Sequence, residues 1–158
     1  MKVLPKRFER YKLSLHPDKT SLVRFNKPFM KKESKEKGTF DFLGFTFYWG
    51  KGLKGYWVIK KKTARKRLSR FMKRIWQWCK ENRHEPMVEQ YKILCSKLRG
   101  FYQYYGVRSN GKALEVVYEY TEEAWRRWLS RRDQKGKVFF ETLRKTYPLP
   151  KPRIVHSV

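Results

Sequence analysis

Residues 56–82 read YWVIKKKTARKRLSRFMKRIWQWCKEN, and within them the hydrophobic period changes. Residues 56–60 form a short β-type run. From Thr63 onward Leu68, Phe71, Met72, Ile75 and Cys79 recur at helical spacing, which predicts an amphipathic helix over 63–82. Lys66, Arg67, Arg70, Lys73, Arg74 and Lys80 fall on the opposite face. A strand running into a helix at this point divides the chain into a β-containing front and a helical back.

Upstream, residues 39–48 (TFDFLGFTFY) are the most apolar strand candidate, with aromatics on both faces and Gly44 in the middle. A glycine there predicts a bulge or a close backbone approach. Gly50, Gly52 and Gly55 supply a loop, so 39–48 and 56–60 are expected to pair as a hairpin. Farther forward, Val3, Leu4, Phe8 and Tyr11 predict a short basic helix over 2–11, entered without an N-cap. Residues 20–25 alternate like a strand, and the Lys/Glu-rich 27–38 reads as an exposed connection.

Downstream, Pro86 sits where a helix-starting proline belongs, and Tyr91, Leu94, Cys95, Leu98, Phe101, Tyr102 and Tyr105 make one stripe. Asn110-Gly111 breaks the chain. A third helix carries Leu114, Val117, Tyr118, Thr121, Trp125 and Trp128, with Glu122–Arg126 and Glu123–Arg127 spaced as i,i+4 ion pairs. A short helix over 138–146 leads into an extended Pro-rich tail. The expected class is α+β: a β-hairpin followed by a three-helix bundle. The expected segments are 1–62, 63–147 and the tail 148–158.

Lys and Arg number 40 against 14 Asp and Glu, a formal charge of +26 in 158 residues. Such self-repulsion favours a polyanionic partner, since each phosphate contacted releases condensed counterions. Disordered tails are equally basic, but 17% aromatic residues implies packing. No apolar run approaches the roughly 20 residues that cross a bilayer, and residues 1–7 contain no apolar secretory core. Cys79 and Cys95 lie in apolar helical patterns and read as small buried hydrophobes of a reducing compartment, which points to a cytoplasmic or nucleoid-associated protein. Two cysteines and three histidines do not make a four-ligand zinc site.

The six cations on the 63–82 helix are the first binding candidates. A charged face is often only solvated, but Glu81 is the single acid in that helix, which favours phosphate contact. Phe71, Tyr91, Phe101 and Trp125 read as core, whereas Trp76, Trp78 and Tyr104 lie on flanks and are the better base-stacking candidates. Gly100 is off the apolar stripe, and its helix cost of about 1 kcal/mol suggests that a second surface approaches. For catalysis, Asp18, Asp41 and Asp133 stand in unrelated contexts. No paired aspartates are present to hold two divalent metals about 4 Å apart. A membrane-disrupting role is disfavoured, because the helices pair their aromatic stripes and are interleaved with strands.

In order along the chain, Leu4-Pro5-Lys6-Arg7-Phe8, then residues 13–20 (LSLHPDKT) and 40–45 (FDFLGF), resemble the sixth and seventh sequence blocks of bacterial group II intron reverse transcriptase/maturases. Residues 98–106 (LRGFYQYYG), with 125–129, resemble that family's maturase-specific thumb. Residues 147–157 (YPLPKPRIVHS) are similar to the C-termini of its compact members lacking an endonuclease domain. The resemblance spans essentially the whole chain.

It implies that Lys19 lies near the phosphates of an incoming nucleotide in an intact polymerase, and that Phe42, Leu43 and Gly44 grip the primer. It also implies that the helices hold group II intron RNA, or an RNA/DNA duplex, and aid splicing. The family's Tyr-x-Asp-Asp turn and earlier catalytic aspartate belong upstream of the matching blocks. The expectation is therefore a truncated reading frame or a separately expressed remnant, lacking fingers and most of the palm. On that reading the uncapped first helix and the doubly apolar 40–48 have lost their sheet. The resemblance implies no cofactor for this chain alone, magnesium for the intact RNA-directed DNA polymerase, and the missing palm and fingers segment as a candidate partner. The alternative is a basic RNA- or DNA-binding protein indifferent to intron structure.

Overall fold

The computed structural model describes residues 3–16, 20–28, 38–132 and 140–156. Two compact units emerge, Met1–Gly38 and Thr39–Val158. Lys19 lies outside the described residues, as do 29–37 of the Lys-rich connection.

In the first unit the basic helix forms as α1, Val3–Glu9, with none of its residues buried. Its end is a Schellman turn: Lys12 adopts φ 56°, and the Leu13 N–H reaches back to the Phe8 carbonyl at 3.0 Å. The strand expected over 20–25 is absent among the described residues. Alternation there has no partner strand to complete its hydrogen bonds, and Leu22 stands 82% exposed.

In the second unit the apolar run expected as one strand is two. β1, Phe40–Phe42, and β2, Phe45–Lys51, turn back on each other through Leu43-Gly44, with β3, Trp57–Thr63, completing an antiparallel sheet in the order β1-β2-β3. The turn residues have φ 49° and 81°, the left-handed pair that a two-residue hairpin of matching twist demands. Gly44 meets this freely; Leu43 is held there against its own preference. Folding back resolves the double-faced aromatic pattern, because Phe40 stacks on Phe47 at 5.1 Å and Phe45 is buried.

The helices follow closely the period read from the sequence. α2 is Arg65–Glu81, α3 Met87–Tyr105 and α4 Gly111–Leu129, with a 3-10 turn at Arg108–Asn110 and a short α5, Phe140–Thr146. Ile75 and Cys79 of α2, Leu94 and Leu98 of α3, and Leu114, Val117 and Trp125 of α4 are at most 1% exposed and form one core. Both cysteines are free and buried; burial pushes the Cys79 thiol up to about 12. Inside this core, Trp125 Nε1 donates to Gln90 Oε1 at 2.9 Å, and Gln90 Nε2 donates to the Glu85 carbonyl at 2.7 Å, so the buried amide is satisfied at both ends.

The expected Glu122–Arg126 pair gives way to another. Glu122 is 3% exposed and takes Arg144 of α5 and the Tyr118 hydroxyl, while Glu123 takes both Arg126 and Arg127. A carboxylate turned inward needs a partner that comes over the top of it, and α5 supplies one. Nothing approaches within 4 Å of a Cβ built on Gly100, so the close contact expected at that glycine is absent among the described residues. The tail lies docked along the bundle: Tyr91 donates to the Pro148 carbonyl, Leu149 is buried, and the Val155 and His156 N–H groups both donate to the Gly106 carbonyl.

Candidate nucleic-acid interface

The six α2 cations, Lys66, Arg67, Arg70, Lys73, Arg74 and Lys80, are all exposed. At roughly 100° per residue they occupy about 140° of the helix surface, opposite Ile75 and Cys79. Among the described residues none of the six reaches a carboxylate within 4.0 Å. Glu122 and Glu123, the acids nearest the bundle core, are spent on Arg144, Arg126 and Arg127. Among the described residues, the α2 face therefore presents cations without a carboxylate partner.

One end of this face meets the Leu43-Gly44 turn. The Tyr104 hydroxyl donates to the Leu43 carbonyl at 2.7 Å, and the Ala64 N–H at the start of α2 donates to the Gly44 carbonyl at 2.9 Å. A Cβ on Gly44 would lie 2.8 Å from the Tyr105 hydroxyl and 3.7 Å from Arg67 Cγ. The tight approach expected at this glycine is thus real, and the approaching groups come from α2 and α3. With both carbonyls engaged, the turn holds Phe42 and Leu43 outward, 58% and 67% exposed. Strain at Leu43 is sustained by these contacts, an arrangement common at sites that must present a fixed shape.

Tyr104 is 52% exposed. Its ring lies along Phe45 at 5.7 Å and meets Tyr105 edge-on at 4.7 Å. Burial, and then the neighbouring Tyr104, raise the Tyr105 hydroxyl above its ordinary value, with Arg67 opposing. Tyr105 thus stays a neutral donor or acceptor beneath the turn. The structure brings Leu43, Gly44, Arg67 and Tyr104 together, while Phe42 projects beside them.

The remaining candidates lie farther along α2. Lys80 is 13 residues beyond Arg67, about 20 Å at helical rise. Trp76 packs edge-on to Trp128 at 5.4 Å and beside Tyr120 at 6.5 Å, in the seam between α2 and α4. Trp78 is half-buried, with the Lys97 ammonium 5.6 Å from its ring. Of the three aromatics offered for stacking, Tyr104 has the most open surface.

Four participants escaped the sequence reading. Tyr105 was counted only as core, Asn110 only as a chain break, and Lys61 and Lys62 were not singled out. Lys61 lies 5.7 Å over Phe45 and Lys62 5.3 Å over Tyr48, extending the basic surface onto the sheet. The triplet Lys60-Lys61-Lys62, beginning at the last residue of the expected 56–60 strand, was the available signal. Among the described residues no group of three or more His, Cys, Asp or Glu is placed to hold a metal ion, and no helix is long and apolar enough to cross a membrane. Comparison with protein-family models, curated proteins and solved structures finds no match.

Proposed function

We propose that the chain binds structured RNA in the cytoplasm as the palm-end, thumb and maturase portion of a group II intron reverse transcriptase, supporting intron splicing. The observation that carries the RNA-binding part is the α2 face: six exposed cations, none paired with a carboxylate among the described residues, ending on a braced turn with outward apolar side chains. A polyanion gains from all six at once through counterion release. The outward Phe42 and Leu43 suit the sugar and base surfaces of a strand whose phosphates lie on α2. The intron assignment rests on the ordered sequence blocks.

Polymerase chemistry is assigned to the intact family protein, in which paired aspartates and magnesium serve phosphoryl transfer. The residues described here do not fit that metal site, and no Tyr-x-Asp-Asp occurs in the 158 residues. Purified chain is expected to extend no primer on an RNA template, and magnesium-dependent cDNA would overturn this assignment.

The function is tested by titrating the 158-residue chain against a folded group II intron RNA and an unrelated structured RNA of equal length, with splicing followed in parallel. The proposal expects at least tenfold tighter binding to the intron and faster splicing. Equal affinities with no effect on splicing would mean a basic binder without intron specificity.

A further inference from the structure

Along the sheet, from the β2–β3 loop to the 3-10 turn, runs a groove of about 970 Å³. Its rim carries Lys51, Lys54, Lys60, Lys61 and Arg108, and among the described residues no acid lines it. Apolar side chains line it as well. Tyr56 is 72% exposed and Ile59 55%, so a ring and a branched aliphatic chain stand open to a ligand. Its wall is rigid: the Ser109 hydroxyl donates to the Lys61 carbonyl at 2.6 Å and accepts the Lys61 N–H at 3.1 Å, fixing β3 to the turn that bears Arg108.

We infer that this groove is a second nucleic-acid site, one that takes a single-stranded segment, with phosphates on the cationic rim and a base against Tyr56 and Ile59. The inference rests on the RNA-binding reading and extends it to a surface that the sequence blocks do not mark. Charge selects the occupant: five cations without a carboxylate fit a phosphodiester chain and repel a basic one. The apolar lining selects within that class. In a duplex the bases are stacked inside, and only an unpaired strand can turn a base face onto such a surface. Phe47 lines the groove three residues beyond Gly44, which sets the groove's near end about 10 Å from the Leu43-Gly44 turn at roughly 3.4 Å per residue. A strand leaving a duplex held at α2 could therefore reach the groove within a few nucleotides.

The experiment uses the whole 158-residue chain, a labelled single-stranded oligouridylate and a blunt RNA duplex. Lys51, Lys54 and Arg108 are exposed, so their joint replacement by Gln leaves the core untouched, and circular dichroism checks this. The triple variant should bind the single strand at least tenfold more weakly, with a salt slope shallower by about two units for three lost single-strand contacts. Its duplex affinity should change less than twofold. Tyr56→Ala should weaken single-strand binding with the salt slope unchanged. If the parent binds duplex but both variants bind oligouridylate as the parent does, the groove inference is wrong and the α2 reading stands. If the parent binds neither RNA, both fail. Vesicles of phosphatidylserine and phosphatidylcholine form a further arm: loss of vesicle binding in the triple variant, with single-strand binding intact, would assign the groove to a lipid surface and overturn the proposal.

Discussion

Asn110 and Thr63 join the bundle to the sheet through a pair of hydrogen bonds. Asn110 Oδ1 accepts the Thr63 N–H at 2.8 Å, and Asn110 Nδ2 donates to Thr63 Oγ1 at 2.8 Å. The same amide nitrogen also donates to the Tyr105 carbonyl at 2.9 Å. Both residues are buried, at 1% and 4% exposure, so water cannot replace these bonds. One side chain thereby ties together the end of β3, the end of α3 and the start of α4.

Asn110→Ala should cost about 1–3 kcal/mol, because it leaves a buried N–H and a buried hydroxyl without partners. Urea unfolding measures this. An unchanged midpoint would mean that the Asn110 bonds are not what holds the sheet to the bundle.

Gly106 is where the tail docks. A Cβ there would meet the Tyr102 carbonyl at 2.3 Å and the Arg153 carbonyl at 3.0 Å, while the Gly106 carbonyl receives the Val155 and His156 N–H groups at 2.7 and 2.9 Å. Gly106→Ala should loosen the tail and speed tryptic cleavage after Arg153 severalfold. Cleavage at the parent's rate would show that the tail does not depend on this contact.

What could be read in advance depended on whether a residue's partner was near in sequence. The α2 core face was legible because Leu68, Phe71, Ile75 and Cys79 need only a helix to align them, and a helix is local. Gly44 was half legible: the close approach was foreseen, but not the reversal of the chain, because Leu-Gly is a weak turn signal beside Asn-Gly. Asn110 looked like a breaker because its partner Thr63 lies 47 residues away. Glu122 was assigned to Arg126 by spacing, yet its burial and its partner Arg144, 22 residues on, are decided by where α5 packs. In the candidate interface the exposed cations were visible in the pattern, whereas the clamp of Tyr104 on Leu43 depends on tertiary structure alone.

Tyr102 is 2% exposed, and its hydroxyl finds no partner among the described residues. Burial pushes its ionisation well above the ordinary tyrosine range. Tyr102→Phe removes a group desolvated without compensation, so thermal stability should be unchanged or higher. A fall in Tm of more than a few degrees would reveal a hydrogen bond to the hydroxyl.

Glu123 governs part of the acid response. The hydrogen bond from Arg127 holds its carboxyl below the ordinary value, aided by Arg126 and opposed by burial. Its folded pKa is depressed, so its contribution is present above the unfolded carboxylate range and is lost as pH falls through the folded value. Glu123→Gln should lower stability near neutrality and flatten the dependence below about pH 4.5, the ordinary carboxylate value. The pair is largely solvent-screened, so the effect should be small. Parallel stability curves for parent and variant from pH 7 to pH 3 would contradict this role.

The central claim is that the exposed cations of α2 bind RNA while its buried face holds the fold. The direct measurement titrates RNA across salt concentrations beside circular dichroism melts, for Arg67→Gln/Arg70→Gln/Arg74→Gln and for Phe71→Ala. Six phosphate contacts in the parent correspond to a log–log salt slope near −5. The triple variant should melt as the parent does, bind more weakly, and lose about one unit of slope for each contact removed. Phe71 packs on Phe101 at 4.4 Å, so Phe71→Ala should cost up to roughly 3–5 kcal/mol and lose binding only as the bundle melts. A triple variant that unfolds, or that binds with the parent's affinity and slope, would contradict the account.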